Sequence, residues 1–217
     1  MEDLLYLIPL LPLVAFAINI LLGRSYIRSN AHWVAIPAVA ASWILALLVF
    51  RDIYDTEHAI SQHLFTWIPA GDFVVDVNLY VDQLTAIMLL VVLTVGLLVH
   101  IYSVGYMHGD PRFYRFFSYL PLFVFSMLML VLADNLLVLF VFWEAVGLCS
   151  FLLISYYFRR RSAGNAAKKA FIVNRVGDWG FMLAMFLAFG AVGTIQYTGL
   201  LGASGELCGL NIESALH

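Results

Sequence analysis

Residues 136–158 read LLVLFVFWEAVGLCSFLLISYYF, a run in which Glu144 is the one formal charge. About 20 predominantly apolar residues carry a helix across the hydrocarbon of a bilayer, so this stretch is long enough to span. Its middle then holds a carboxylate with no water to solvate it, at a cost of about 2.5 to 3.5 kcal/mol on insertion scales. An acid kept in such a place points to an ion or proton path. Glu144 is therefore the first candidate for chemistry, and the rest of the chain is read around it.

Of 217 residues, 63% are hydrophobic and 12% are charged. Soluble domains have about 45 to 50% and about 25% respectively, so this is the composition of an integral membrane protein. The net charge of -3 says little, because the two signs are segregated by loop and nearly cancel. The basic residues lie in short loops and form no extended basic face, which excludes nucleic acid as a partner. Two cysteines, Cys149 inside an apolar run and Cys208 near the end, support neither a disulfide framework nor a cysteine metal site. Cys149 reads as a small buried hydrophobe. The first residues are apolar but open on Glu2 and Asp3, where a secretory signal would be basic, so they read as a retained first helix.

Windows of about 20 residues give six spans, at 4–22, 31–50, 84–103, 116–133, 136–158 and 170–192. The predicted class is an all-α integral membrane protein of about six transmembrane helices. Prolines 9, 12, 37 and 121 fall within spans, where membrane helices tolerate them. Arg24, Arg28, Arg112, Arg115, Arg159, Arg160, Arg161, Lys168 and Lys169 all fall in loops on one side of the membrane. The opposite loops carry Arg51 alone against Asp52, Asp55, Glu57, Asp72, Asp76 and Asp134. By the positive-inside rule the first side is cytoplasmic, which puts the N-terminus outside.

The long loop between the second and third spans has a period of two. In FVVDVNLYV, Phe73, Val75, Val77, Leu79 and Val81 share one face, and Asp76 and Asn78 lie on the other. HLFTWI before it is β-prone and residues 69–72 supply turn chemistry, so a short β-hairpin is predicted on the outer surface. Its apolar face needs a cover, either this chain's own helix ends or a neighbouring subunit.

At about 1.5 Å per residue, Glu144 lies about 12 Å from the outer end of its span and Asp178 about 12 Å from the cytoplasmic end of the next. Asn174, Arg175 and Asp178 form a polar stripe, with Arg175 and Asp178 spaced to pair at i, i+3. Those two can neutralise each other as a structural ion pair. Glu144 has no cation in its own helix, so a structural role requires a partner from elsewhere. His100 reads as a hydrogen-bonded histidine near a helix end, with proton relay as the second reading. His58, His63 and His108 lie in loops without metal spacing. Trp33, Trp67, Trp143 and Trp179 read as interface anchors or lipid-facing packing. Gly177 and Gly180 read as sites of close helix approach. Lys168 and Lys169 count first as orientation signals, and Lys169 second as the inner mouth of a proton route.

The segments ADNLLVLFVFWEAVGLCSFLLI at 133–154 and KAFIVNRVGD at 169–178, with VDQLTAIMLLVV and HIYSVGYM before them, carry a family resemblance. The chain strongly resembles subunit L of bacterial NADH:quinone oxidoreductase, the counterpart of mitochondrial complex I subunit 5. The resemblance covers essentially all of these residues and roughly the first third of the family's length. It implies that Glu144 is the pumping glutamate and that Asp178 and Arg175 are charged positions that tune its protonation. It also implies a lysine partner for the glutamate on a following helix that these residues do not include. Under this resemblance residues 1–83 hold the first two spans and the outer hairpin, and 84–193 hold spans three to six and the start of an antiporter-like domain. Residues 194–217 form an outer-side tail, expected to be truncated.

The expected function is proton translocation coupled to quinone reduction by NADH, as part of that enzyme in the bacterial inner membrane. NADH, FMN, iron-sulfur clusters and quinone are expected in partner subunits, since this sequence has no Rossmann glycine fingerprint, no P-loop and no iron-sulfur cysteine set. No cofactor or metal is expected on this chain. Its partners are expected to be other membrane subunits of complex I, the lipid bilayer and protons. The large subunits of multisubunit cation/proton antiporters share the DNLLVLFVFWE core and supply the alternative; an inert membrane scaffold is the third reading.

Overall fold

The computed structural model describes residues 4–27, 30–56, 58–70, 73–197 and 200. Cys208, most of the tail at 194–217 and the tip of the hairpin turn lie outside the described residues. The elements in chain order are α1 (Leu7–Leu22), α2 (His32–Thr56), β1 (Ile60–Ala70), β2 (Phe73–Val81), α3 (Gln83–Tyr106), α4 (Phe113–Val131), α5 (Leu136–Ile154) and α6 (Arg161–Val192). A π-helical turn at Gly23–Ile27 extends α1, and a 3-10 turn at Ser155–Tyr157 extends α5. Among the described residues six helices are long and apolar enough to cross a membrane.

Several helices outrun the apolar windows. α2 continues to Thr56, beyond the expected end at Phe50, with Arg51 and Asp55 paired across one turn at 3.7 Å. α6 begins at Arg161 and not at Ala170, because Ser162 to Lys169 contain no proline to stop a helix that starts in the aqueous layer. A hydropathy window finds the part of a helix that lipid touches, not the part that water solvates.

The first four helices pack through buried stripes in which small side chains are interspersed. On α2 the buried positions Ala35, Val39, Ser42, Ala46, Val49 and Ile53 recur at three and four residues. On α3, Ala86, Leu89, Leu93, His100 and Ser103 recur at three, four and seven residues, which keeps them on one face. Helix association in lipid depends on close packing, which small residues allow. Gly23 is one such place, since a Cβ there would stand 2.8 Å from a ring carbon of Tyr114. One core, including Leu5, Ile8, Leu89, Leu128 and Leu132, lies toward the hairpin end. A second, around Ala31, Ala35, Phe113, Phe117 and Tyr156, lies at the other. His100 is fully buried between α3 and α4, its Nδ1 2.7 Å from the Gly96 carbonyl, in keeping with the hydrogen-bonded reading.

The hairpin is present and antiparallel, pairing Ile60 with Val81 through Ala70 with Phe73, with irregularities between His63 and Phe65 and between Thr66 and Ile68. Val75, Val77, Leu79 and Val81 are buried as the alternation required. The chain's own helix ends supply the cover: Val77 packs with Ala133 and Val138, and Val75 with Met185 and Ile195.

The short corner between α4 and α5 ties these parts together. Asn135 caps α5 by accepting from the Val138 amide at 2.9 Å, and donates from Nδ2 to the Asp76 carbonyl at 2.8 Å and to Asp134 Oδ1 at 2.7 Å. Asn78 Nδ2 donates to Asp134 Oδ2 at 2.6 Å, and the Tyr80 amide to the Leu132 carbonyl at 2.8 Å. Beyond α6, the Leu136 amide donates to Ile195 at 3.0 Å and the Tyr197 amide to Asp134 at 3.0 Å. The corner thus fixes the hairpin, the start of α5 and the end of α6 to one another.

Asn135→Ala removes a cap and leaves a carbonyl and a carboxylate oxygen short of a donor, so it should lower stability by about 1 to 3 kcal/mol. The midpoint of thermal unfolding in a bilayer mimetic reads this directly. Burial raises the Asp134 carboxyl above its ordinary value despite the two amide donors, with Asp76 adding to the rise. The native state therefore holds a proton that the unfolded chain has lost, and stability should fall as pH rises from the ordinary carboxylate range through the raised value. Asp134→Asn should flatten that slope; an unchanged pH dependence would assign it to another group.

Candidate functional site

α5 and α6 run antiparallel, and their facing side chains set the register. Phe140 stacks on Phe181 with ring centroids 5.6 Å apart, and Phe151 meets Phe171 edge to face at 5.6 Å. Between these two aromatic contacts Glu144 comes level with Arg175 and Asp178. Arg175 Nη1 is in direct contact with Glu144 Oε2, and the same nitrogen lies 4.0 Å from Asp178 Oδ2. The guanidinium also sits 4.5 Å over the Phe171 ring. One cation is shared by two carboxylates from two helices.

Sequence spacing alone pairs Arg175 with Asp178; the fold gives Arg175 primarily to Glu144. The reason is that Asp178 is held by another donor. Trp143 Nε1 donates to Asp178 Oδ1 at 3.1 Å, which turns that carboxylate toward α5. Trp143, read from the sequence as an anchor or a lipid-facing residue, is thus part of the site. The usable signal is its place next to Glu144, one residue along a helix whose neighbour carries an acid at matching depth.

Asp178 is buried, and the Glu144 side chain is 19% exposed. Glu144 Oε1 is buried without a hydrogen-bond partner. A cavity of about 100 Å³ opens beside the trio, lined by Glu144, Arg175 and Asp178 together with Ser150, Asn174 and Trp143. It has room for a few water molecules and the polar partners to hold them. When both acids are ionised the trio carries one excess negative charge, and one proton neutralises it. Arg175 has 44% of its side chain exposed.

The other expected residues lie elsewhere. Lys169 is exposed on α6 and is not among the residues that line the cavity. No Cβ built at Gly177 or Gly180 meets any atom within 4 Å, so the close approach read from these glycines is not made among the described residues. Cys149 is buried as expected, with Ser126 Oγ 3.8 Å from its sulfur. Among the described residues no three His, Cys, Asp or Glu side chains gather to hold a metal ion.

Two family descriptions match the chain. "NADH-Ubiquinone oxidoreductase (complex I), chain 5 N-terminus" covers residues 67–117, and "NADH:quinone oxidoreductase/Mrp antiporter, TM" covers residues 133–214. NADH-quinone oxidoreductase subunit L of Mycobacterium tuberculosis is 46% identical over 200 residues, 90% of this chain and 31% of that protein. The chain belongs to the subunit L/chain 5 family. NADH-ubiquinone oxidoreductase chain 5 of Rhizopus stolonifer is 42% identical over 188 residues, 87% of this chain and 29% of that one. The chain spans about a third of the length of the curated relatives it matches. Among solved structures, the Mrp complex from Dietzia sp. DQ12-45-1b aligns with a TM-score of 0.74 and 28% identity over 90% of this chain and 20% of that one. An archaeal membrane-bound sulfane sulfur reductase shares the fold, with a TM-score of 0.78 and 19% identity over 94% of this chain and 40% of that one. With its six apolar helices, the chain is a multi-pass membrane protein.

A double-mutant cycle on Glu144→Gln and Arg175→Gln should give a coupling of about 1 to 3 kcal/mol in thermal unfolding. In a Trp143→Phe background Asp178 loses its second donor and competes for Arg175, so the coupling should shrink. Additive effects of the two substitutions would mean that the contact carries no energy.

Proposed function

We propose that the chain works within a proton-translocating membrane subunit of an NADH:quinone oxidoreductase, in which quinone reduction by NADH drives protons across the membrane. The observation that carries this reading is the sharing of Arg175 by Glu144 and Asp178 at mid-span, beside a cavity that the three charged side chains help to line. A carboxylate in a low dielectric holds a proton when its cation is drawn away and releases it when the cation returns. In this reading Glu144 holds the transferred proton. Asp178 competes for Arg175 and so sets how firmly Glu144 is held, with Trp143 keeping Asp178 in position. Lys169, exposed nearer the basic end of α6, serves as the inner mouth of the route.

NADH, FMN, iron-sulfur clusters and quinone belong to partner subunits in this reading, and the immediate partners are other membrane subunits of the complex. The membrane is the bacterial cell membrane, a placement supported by the bacterial relatives. The N-terminus faces outward, supported by the concentration of arginine and lysine in the loops at the opposite end.

A second reading, the large subunit of a cation/proton antiporter, is favoured by the 28% identity to the Mrp complex over most of the chain. The two differ in what drives the proton. In the first, proton movement requires NADH and quinone; in the second, a cation gradient alone suffices. Glu144→Gln in the assembled complex, reconstituted in proteoliposomes, should remove most NADH-driven acidification while the complex still assembles. Full pumping by that variant would take Glu144 out of the mechanism, and acidification driven by sodium without NADH would favour the antiporter.

A further inference from the structure

At the end of the bundle opposite the hairpin, the first turn of α4 meets the last turn of α5. Arg112 and Arg115 stand there, spaced i, i+3 and therefore on one face, and both are partly buried. With Tyr119, Leu152, Ser155 and Phe158 they line a cavity of about 120 Å³, separate from the one beside Glu144. The Arg112 guanidinium lies 4.5 Å over the Phe158 ring.

The nearest acid of this loop is committed elsewhere. Asp110 Oδ1 accepts from the Arg112 amide at 2.8 Å and lies 2.8 Å from the Tyr156 hydroxyl, which is also 2.9 Å from the Arg112 carbonyl. Those contacts hold the loop in shape. Among the described residues neither guanidinium forms an ion pair. A topological signal needs only exposed charge, which Arg159, Arg160 and Arg161 already supply. Two partly buried arginines, one of them drawn against an aromatic ring, lose hydration that a bound anion offsets.

The surroundings define the anion. Leu152 and Phe158 form an apolar side to the cavity, and Leu148, one turn along the same face of α5, continues it as exposed apolar surface. A ligand that satisfies both parts has a charged head and an apolar body. We propose that this cavity is a binding site for the phosphodiester headgroup of an anionic phospholipid, bound bidentately by Arg112 and Arg115, with an acyl chain along the exposed face of α5. Guanidinium forks match phosphate oxygens, and basic pockets between membrane helices suit such headgroups.

The test uses the full chain in its membrane assembly, placed in phosphatidylcholine nanodiscs doped with phosphatidylglycerol. Lipid retained after detergent washing is counted by mass spectrometry. Arg112→Gln with Arg115→Gln should reduce phosphatidylglycerol retention about 30-fold, while Arg24→Gln, a basic residue outside the cavity, should change it less than about twofold. Leu152→Trp keeps both guanidinia and fills the cavity, so it should also abolish retention; it carries the test if the double variant fails to fold. Undiminished retention in whichever of these variants folds overturns the proposal. An equal loss in Arg24→Gln overturns it in favour of diffuse surface charge, and displacement by inorganic phosphate overturns it in favour of a soluble phosphate site.

Discussion

A charge in the middle of a bilayer must find its counter-charge within the protein, and in this chain that requirement ties two helices into one register. Glu144 on α5 and Asp178 on α6 both depend on Arg175. A slip of α6 by one turn, about 5.4 Å, would separate all three. Three further devices enforce the same alignment: the Phe140–Phe181 stack above the trio, the Phe151–Phe171 contact below it, and the corner at Asn135 that joins the start of α5 to the segment after α6. The hairpin belongs to this system as well. Its apolar face is covered by the same corner, so an extracyclic loop and an intramembrane ion cluster share one anchor.

The two halves of the bundle differ in how firmly they are held. α1 to α4 interlock through buried stripes and enclose the two cores. α5 and α6 bury little, with Val138 and Cys149 on one and Ala167, Asp178 and Met185 on the other. The charged cluster thus stands on the less constrained pair, braced from one side by a rigid block. In the proposed reading, small changes in the spacing of α5 and α6 alter which carboxylate holds Arg175.

Much of this was legible in the residues, and the reasons are specific. Six spans could be read because lipid imposes apolar runs of defined length, and β2 because alternation at Val75, Val77, Leu79 and Val81 has no other explanation in a loop. Glu144 stood out because it is a lone charge in its span. Its cation was not legible, because periodicity describes one helix at a time and the contact with Arg175 depends on how two helices align. The same holds for Trp143, whose indole N–H is indistinguishable in sequence from that of any interface tryptophan. Arg161 as the start of α6 was hidden because hydropathy reports the lipid boundary and not the helix boundary.

The presence of Asp178 separates a static account of the cluster from a mobile one. A structural ion pair across α5 and α6 needs one acid and one base, and Glu144 with Arg175 would complete it. A second carboxylate near the same guanidinium, buried and held by a tryptophan 3.1 Å away, adds desolvation cost and repulsion, and gains only the longer contact of 4.0 Å with that guanidinium. Its hydrogen bond from Trp143 joins the two helices, but a neutral amide oxygen could accept that bond equally well. In the proposed reading Asp178 is a competitor for the cation, a second acceptor within reach of Arg175. In that reading the protonation state of Glu144 decides which acid Arg175 pairs with, and the position of Arg175 in turn decides whether Glu144 keeps its proton.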